Sequence, residues 1–410
     1  MNVLFISTSD LRGGAAIAAY RLMKALQASG IDVKMLVREK LSDDDNVIKI
    51  GNNIHNKYNF YKERADIFLR NGLKRGKLFD VSIANTGISI TKMKEFEEAD
   101  IVHLHWINQG MLSLKEIGRI VESDKKVVWT MHDMWPFTGI CHHATTCNNY
   151  HTSCGHCKYL QSSFEKDLSQ SIFSEKLKVF NKSRITFVAC SKWLKEQAVV
   201  SPLTHNHKVV SIPNPIDTKV YSPGSKEEAR KRLQLPQDKK LILFAAMKAS
   251  DKRKGMDHLV RACNILATRG VDIDCVIAGE NGTEMAQVFN LPVHAVGWVS
   301  QEKMKHLYTA VDLFVTPSLQ ENLPNTIMEA MACGTPCVGF NIGGIPEMID
   351  HGRTGYVAKY KDYNDLANGI YQTLYESDKD ILSANARQKV LDTYSQEVVS
   401  RQYIDIFNQP

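Results

Sequence analysis

Long hydrophobic runs are missing: nowhere in the 410 residues does an apolar stretch reach the ~18 residues of a membrane-spanning helix. A helical membrane span is not expected. The opening Met1-Asn2-Val3-Leu4-Phe5-Ile6 has no basic residues ahead of it and runs at once into polar ones, so it reads as a buried strand and not as a secretory leader. Concentrated charge is missing too. A formal net charge of +6 over 410 residues is too dilute for the basic stripe of a nucleic-acid binder, and no nucleic-acid partner is expected. The G-x-G-x-x-G spacing of a dinucleotide site is absent from the first glycine-bearing loop, which argues against a dehydrogenase. Nor is this a disulfide scaffold: Cys190, Cys263, Cys275, Cys333 and Cys337 sit in the apolar or helix-end settings of small buried thiols. These absences point to a cytoplasmic protein, at most peripheral at the inner face of a membrane.

What is present is ordinary globular material, with 43% hydrophobic and 23% charged residues, in a chain too long for one core. Two stretches share one plan. The first runs strand Val3–Ser7, a loop with Arg12-Gly13-Gly14, a helix from Ala15 to Ser29, the stop Gly30, and strand Asp32–Val37. The second runs strand Lys240–Ala246, a polar basic loop Lys248–Gly255, a helix to Arg269, the stop Gly270, and strand Ile273–Gly279. Each is a βαβ unit that opens a parallel sheet. Further strands are expected at 101–105, 127–131 and 185–190 in the first half, and at 294–299, 313–316 and 336–340 in the second. Helices are expected at Lys226–Leu233, Gln301–Ala310 and Pro324–Cys333.

The fold class is therefore α/β with two Rossmann-like domains. Pro213 and Pro215 forbid a regular helix and mark the joint. The expected division is 1–212, 213–392, and a terminal segment 393–410 that carries an amphipathic helix. From Lys57 to Lys77 basic residues interleave with Tyr58, Phe60, Tyr61, Ile67, Phe68, Leu69 and Leu73, a pattern that suits either a solvated helix face or contact with an anionic membrane.

The most specific motif is Glu321-Asn322-Leu323-Pro324-Asn325-Thr326-Ile327-Met328-Glu329, followed by Ala330-Met331-Ala332-Cys333-Gly334-Thr335-Pro336. It follows a strand and opens a helix at the carboxyl edge of a parallel sheet, where ligands bind in such folds. A helix amino terminus with its unpaired N–H groups suits a diphosphate. With these residues the chain resembles the retaining glycosyltransferases of family four over nearly its whole length. That resemblance implies the GT-B fold, two domains facing across a cleft, a 393–410 helix that crosses back to the first domain, and a nucleoside-diphosphate sugar donor.

By the same resemblance Glu321 lies near the donor sugar and Glu329 bonds the nucleotide ribose, with Asn322 and Leu323 between them at the donor. Lys254 matches a family lysine that holds the donor diphosphate. The family's arginine is replaced here by Lys248, which loses the bidentate fork, and Arg253 is the alternative source of that contact. Gly13 and Gly14 resemble the family's glycine loop. Gly343 and Gly344 resemble a loop beneath the donor sugar. His132, ending the strand before Asp133-Met134-Trp135-Pro136, resembles a histidine beside the transferred sugar, with Asp133 and His105 on the acceptor side and His103 structural.

The acceptor implied is a carbohydrate or polyprenyl-linked oligosaccharide of capsule or lipopolysaccharide assembly. The implied reaction retains configuration: the acceptor attacks on the face from which the diphosphate leaves, and Lys248, Lys254 and backbone N–H groups stabilise the developing charge. No catalytic metal is expected. Cys141, Cys147, Cys154 and Cys157, with histidines interspersed, suit a structural zinc ion in a reducing compartment, reduced thiols or disulfides. Two rival functions remain at this stage, a sugar-nucleotide epimerase or phosphorylase of the same architecture and a zinc-stabilised binding protein without catalysis.

Overall fold

The computed structural model describes residues 1–73 and 77–409, so Lys74 and Arg75 of the basic segment lie outside the described residues. The chain divides into two compact units, Met1–Pro215 with Val399–Pro410, and Ile216–Val398. Where the sequence suggests joints at 212 and 392, the structure places them a few residues later. Ile216 forms a parallel bridge with Ser395, and its N–H donates to the Tyr394 carbonyl at 2.8 Å, which holds both segments in the second unit.

The first unit carries strands β1 (Asn2–Ser9), β2 (Asp32–Glu39), β3 (Val47–Lys49), β4 (Ile101–Leu104), β5 (Lys126–Met131), β6 (Ile185–Ala189) and β7 (Lys208–Ser211). They form one sheet in the order β3-β2-β1-β4-β5-β6-β7, parallel throughout. The second unit carries β8 (Lys240–Lys248), β9 (Ile273–Glu280), β10 (Val293–Gly297), β11 (Leu313–Thr316), β12 (Cys337–Phe340) and β13 (Gly355–Ala358). Their order is β10-β9-β8-β11-β12-β13, again parallel. The central strands are buried on both faces, which is why they read as unbroken runs of Val, Ile, Leu and Phe without alternation.

The order in which the chain adds strands reverses between β1 and β4 in one sheet and between β8 and β11 in the other. In parallel sheets that reversal opens a crevice outside the strands' carboxyl ends. Three strands escape the sequence reading: β3 is only three residues long, β7 is a half-exposed edge, and β13 opens on a glycine. β8 also runs two residues further than read, to Lys248, through a register shift between Ala245 and Lys248.

The helix Gln396–Asn408 buries Val399, Tyr403, Ile406 and Phe407 in the core of the first unit. Burying side chains of this size stabilises by roughly 1.5–3 kcal/mol each. The Tyr403 hydroxyl meets Thr130 Oγ1 on β5 at 2.9 Å, and Lys126 Nζ donates to the Ile406 and Phe407 carbonyls at 2.7 and 3.2 Å, closing the helix end.

In the second unit a buried carboxylate, Asp312, gathers Lys226 Nζ (2.6 Å), Arg230 Nη2 (2.8 Å), Lys379 Nζ (3.0 Å) and the Leu241 N–H (2.8 Å). Burial pushes this acid up, but the cations and the N–H outweigh burial and bring its pKa down to about 2. No helix among the described residues is long and apolar enough to cross a membrane.

Candidate functional site

In the second unit the segment after β8 makes a short 3₁₀ turn, Lys252–Lys254, capped by the Asp251 carboxylate, which accepts from the Arg253 N–H at 3.0 Å. Gly255 follows at φ +75°, and a Cβ there would sit 1.8 Å from the Pro317 carbonyl oxygen. Only glycine permits so close an approach. The turn therefore lies directly on the loop that follows β11, and the Leu319 N–H donates to the Arg253 carbonyl at 2.7 Å.

That loop is gripped from its other side as well. Gly343, at φ +58°, leaves no room for a Cβ, which would lie 1.8 Å from the Glu321 carbonyl, and the Gly344 N–H donates to the Asn322 carbonyl at 2.8 Å. Glu321 is thus seated between the end of the β8 loop and the turn after β12. Its side chain forms an ion pair with Lys254, and Ser318 Oγ donates to the same carboxylate oxygen at 3.1 Å. Leu323 is buried and anchors the loop, and Tyr360 donates its hydroxyl hydrogen to the Leu319 carbonyl at 3.1 Å.

The helix Asn325–Ala332 starts from Pro324 with no side-chain cap. Pro324, read as the first helical residue, is its N-cap. Glu329 lies within this helix, buried, and accepts a hydrogen bond from the Tyr308 hydroxyl at 2.8 Å. Burial and the neighbouring Glu329 hold the Tyr308 phenol far above its ordinary pKa, so it remains a donor.

Of the donor-side residues named from the sequence, Lys254, Glu321, Asn322, Leu323, Gly343 and Gly344 converge on one loop, with Glu329 on the helix that continues it. The other two cations have partners elsewhere. Arg253 turns its guanidinium onto Asp251 (Nη2 to Oδ2, 2.8 Å), and Lys248, at the end of β8, lies 3.9 Å from Glu280. Ser318, Tyr308 and Asp251 were not singled out in the sequence. Ser318 stands three residues before Glu321, which was the available signal.

In the first unit, Gly13 at φ +91° is the N-cap of the helix Gly14–Ala28, and open space surrounds the position of its missing Cβ. β4 and β5 end side by side, and the residues that follow them place His105 Nδ1 3.1 Å from His132 Nε2, with the rings stacked. Cys190 Sγ lies 3.7 Å from the other nitrogen of His132. His103, further back, is buried with Nε2 2.8 Å from Thr130 Oγ1.

Burial brings the pKa of His132 down to about 4 against the upward pull of Asp133, and burial with neighbouring imidazoles holds His103 and His105 well below the ordinary range. All three are neutral at neutral pH, and a neutral ring offers one donor and one acceptor. Asp133 points away from this row. It accepts from Trp106 Nε1 (2.8 Å) and the Trp135 N–H (2.8 Å) and contacts His142 Nδ1 (2.7 Å). Burial raises its pKa, but His142, His143 and the Trp135 N–H outweigh burial and bring it down to about 2. Asp133 is thus a permanent carboxylate that fixes the loop after β5.

A buried lysine completes that loop. Lys176 donates to the Trp135 and Thr138 carbonyls at 2.7 and 3.0 Å and lies over the Trp135 ring, 3.3 Å from its centroid. Sequence reading passed over it, because a lone lysine in a helix reads as solvated.

Cys141, Cys147, Cys154 and Cys157 line one cavity of about 20 Å³, room for a single water-sized occupant. All nine cysteines are free thiols. The Gly139 N–H points at Cys154 Sγ (3.3 Å). As the side chains stand, no group of three or more His, Cys, Asp or Glu among the described residues is gathered to hold a metal ion.

Comparison with known proteins bears on the whole chain. Residues 12–220, just over half of it, match Glycosyltransferase Family 4, and residues 225–389 match Glycosyl transferases group 1. The N-acetyl-alpha-D-glucosaminyl L-malate synthase of Bacillus anthracis is 24% identical over 336 residues, covering 80% of this chain and 79% of that one. Among solved structures, the sucrose-phosphate synthase of Thermosynechococcus elongatus superposes with a TM-score of 0.69 at 19% identity, over 100% of this chain and 98% of its own. Anabaena HepE, solved in complex with UDP-glucose, superposes with a TM-score of 0.65 at 16% identity over 99% of each chain. The chain belongs to glycosyltransferase family 4 and is a glycosyltransferase.

Proposed function

We propose that the chain transfers a sugar from a nucleoside-diphosphate donor, with retention of configuration, to a carbohydrate or lipid-linked oligosaccharide in surface polysaccharide assembly. The observation that carries this reading is the seat of Glu321, paired with Lys254 and continued by an uncapped helix start that leads to Glu329. Backbone N–H groups at a helix start and an adjacent ammonium suit a diphosphate. Glu329, held by Tyr308, bonds the ribose, and Glu321 with the Gly343-Gly344 turn lies against the sugar. Anabaena HepE, of the same fold, was solved with UDP-glucose, which supports a sugar-nucleotide donor.

In the reaction proposed, the acceptor oxygen bonds to the anomeric carbon on the face from which the diphosphate departs. The bond from that carbon to the phosphate oxygen breaks, its electron pair stays with the phosphate, and the acceptor's proton passes to that leaving oxygen. The protein supplies positive charge where negative charge develops, from Lys254 and the helix start, with Arg253 and Lys248 recruited when the donor arrives. Neutral His132 adds no charge, and it binds a sugar hydroxyl only by giving up its contact with His105 or Cys190.

A thermal-shift panel of UDP-, GDP- and ADP-sugars tests the donor, since a ligand of the folded state raises Tm by mass action. One sugar nucleotide is expected to raise Tm, and Glu329→Ala to remove the shift. The anomeric signal of the product by NMR then reads the stereochemistry. No shift with any sugar nucleotide overturns the reading, and a new epimer formed without acceptor replaces it with an epimerase.

A further inference from the structure

The helix Asn53–Arg70 is built inside out. Its buried positions are Asn56, Asn59, Glu63, Arg64 and Ile67, four polar residues out of five. They are held by specific bonds: Glu63 accepts from the Ile83 and Ala84 N–H groups at 2.8 and 2.9 Å, Arg64 donates to the Val81 carbonyl at 3.0 Å, and Thr86 donates to Asn59 at 2.7 Å. Facing outward are Ile54 (82% exposed), Tyr58, Tyr61 (65%) and Leu69, spaced as one stripe along the helix, and Leu73 and Phe79 (62%) extend the exposed apolar surface beyond its end. A helix stabilised only within this chain would show the opposite arrangement.

The exposed charge around the stripe is almost all of one sign, with Asp80, next to Phe79, the exception. Among the described residues from 53 to 79, the exposed charged side chains are Lys57, Lys62, Arg70 and Lys77, whereas Glu63 is buried and Asp66 half-buried. Lys62 lies with its ammonium 5.9 Å from the centroid of the Tyr58 ring, so cation and apolar surface are offered together. A second copy docked through the same face would set cations against cations, since a two-fold contact pairs a surface with itself. A lipid surface with anionic headgroups receives both parts: the rings and aliphatic chains enter the boundary below the headgroups, and the cations meet phosphate.

We propose that the outward face of Asn53–Arg70, continued through Leu73 and Phe79, docks the first unit on an anionic membrane surface. This extends the reading of a lipid-linked acceptor, yet its test is separable from it.

The full chain is sedimented with phosphatidylcholine vesicles, with and without phosphatidylglycerol, alongside two variants, Tyr58→Ser/Tyr61→Ser/Leu69→Ser and Lys57→Glu/Lys62→Glu. The parent is expected to bind the anionic vesicles, to release them as salt rises, and to leave the neutral ones in suspension. Each variant is expected to lose about tenfold or more of that affinity while keeping the donor-induced rise in Tm, which shows that the fold and the donor site survive. If the triple variant melts early, Leu69→Ser alone takes its place. Vesicle binding by the variants equal to that of the parent overturns the proposal, as does equal binding to neutral and anionic vesicles. So does a dimer in sedimentation velocity that the substitutions dissociate while vesicle binding is absent.

Discussion

Lys254 and Glu321, 67 residues apart in sequence, share an ion pair between the turn that follows β8 and the loop that follows β11. A lysine engaged by a carboxylate is positioned before any ligand arrives, so under the proposed function the donor's diphosphate has only to replace one anion with another. Lys254→Ala is expected to lower kcat/KM by roughly 10²- to 10³-fold, the range for losing one preorganised donor to a developing charge. Steady-state kinetics with the donor found in the thermal-shift panel measures this, and a loss under threefold would show that the lysine serves only Glu321.

The two glycines at φ +75° and +91° separate conformational strain from steric collision. Gly13→Ala meets open space, so its cost is backbone strain alone, about 1–3 kcal/mol for a conformation (φ 91°, ψ 162°) that essentially only glycine adopts. Gly255→Ala, in the milder left-handed helical conformation (φ 75°, ψ 25°), adds a collision of its Cβ with the Pro317 carbonyl, so it should cost more and also displace Lys254. Chemical denaturation of both variants gives the comparison, and equal costs would contradict it.

Tyr308→Phe removes the hydroxyl that serves the buried carboxylate of Glu329. Leaving a buried acceptor short of a donor costs about 1–3 kcal/mol. If Glu329 holds the ribose, KM for the donor rises as well, because the freed carboxylate is no longer held in one orientation. Denaturation curves and donor KM are the two readouts, and a lowered stability with unchanged KM would make Tyr308 purely structural.

Acid should weaken the first unit well before its carboxylates titrate. His132 takes a proton near 6.5 when unfolded and only at about 4 when folded, and His103 and His105 are shifted in the same direction. Between those values the unfolded chain binds more protons, so stability is full above pH 6.5 and falls as pH drops toward 4. Asp133, brought from 3.8 to about 2, extends the loss further down. Urea midpoints measured from pH 7.5 to 4.5 should decline, and His132→Asn should flatten part of that slope.

Much of this architecture was legible because both sheets are parallel and buried, so their strands stand out as apolar runs between helices of ordinary length. The strands that stayed hidden were short or at edges: Val47–Lys49 offers three residues, and Lys208–Ser211 is half-exposed. The loop residues around Glu321 could be named because the motif is dense. Their side-chain partners could not, since Tyr308 lies on a different helix from Glu329 and the bond between them depends on how the two pack. For Arg253 the sequence showed a cation in the right loop, but not that Asp251, two residues away, would hold it. The four clustered cysteines line one cavity, and spacing alone left a structural zinc ion, reduced thiols and disulfides all open. The basic segment was seen as amphipathic, but which side faced inward depended on the hydrogen bonds of Glu63 and Arg64, which no periodicity reveals.

Asp312 ties together Lys226 and Arg230, near the start of the second unit, and Lys379, near its close. Entry and exit of that stretch are thereby knotted at a single point inside it. Such a segment carries its own buckle, which makes it a natural cassette for transplantation: residues 216–398 are expected to be movable as one piece into a related scaffold, provided the buckle travels intact.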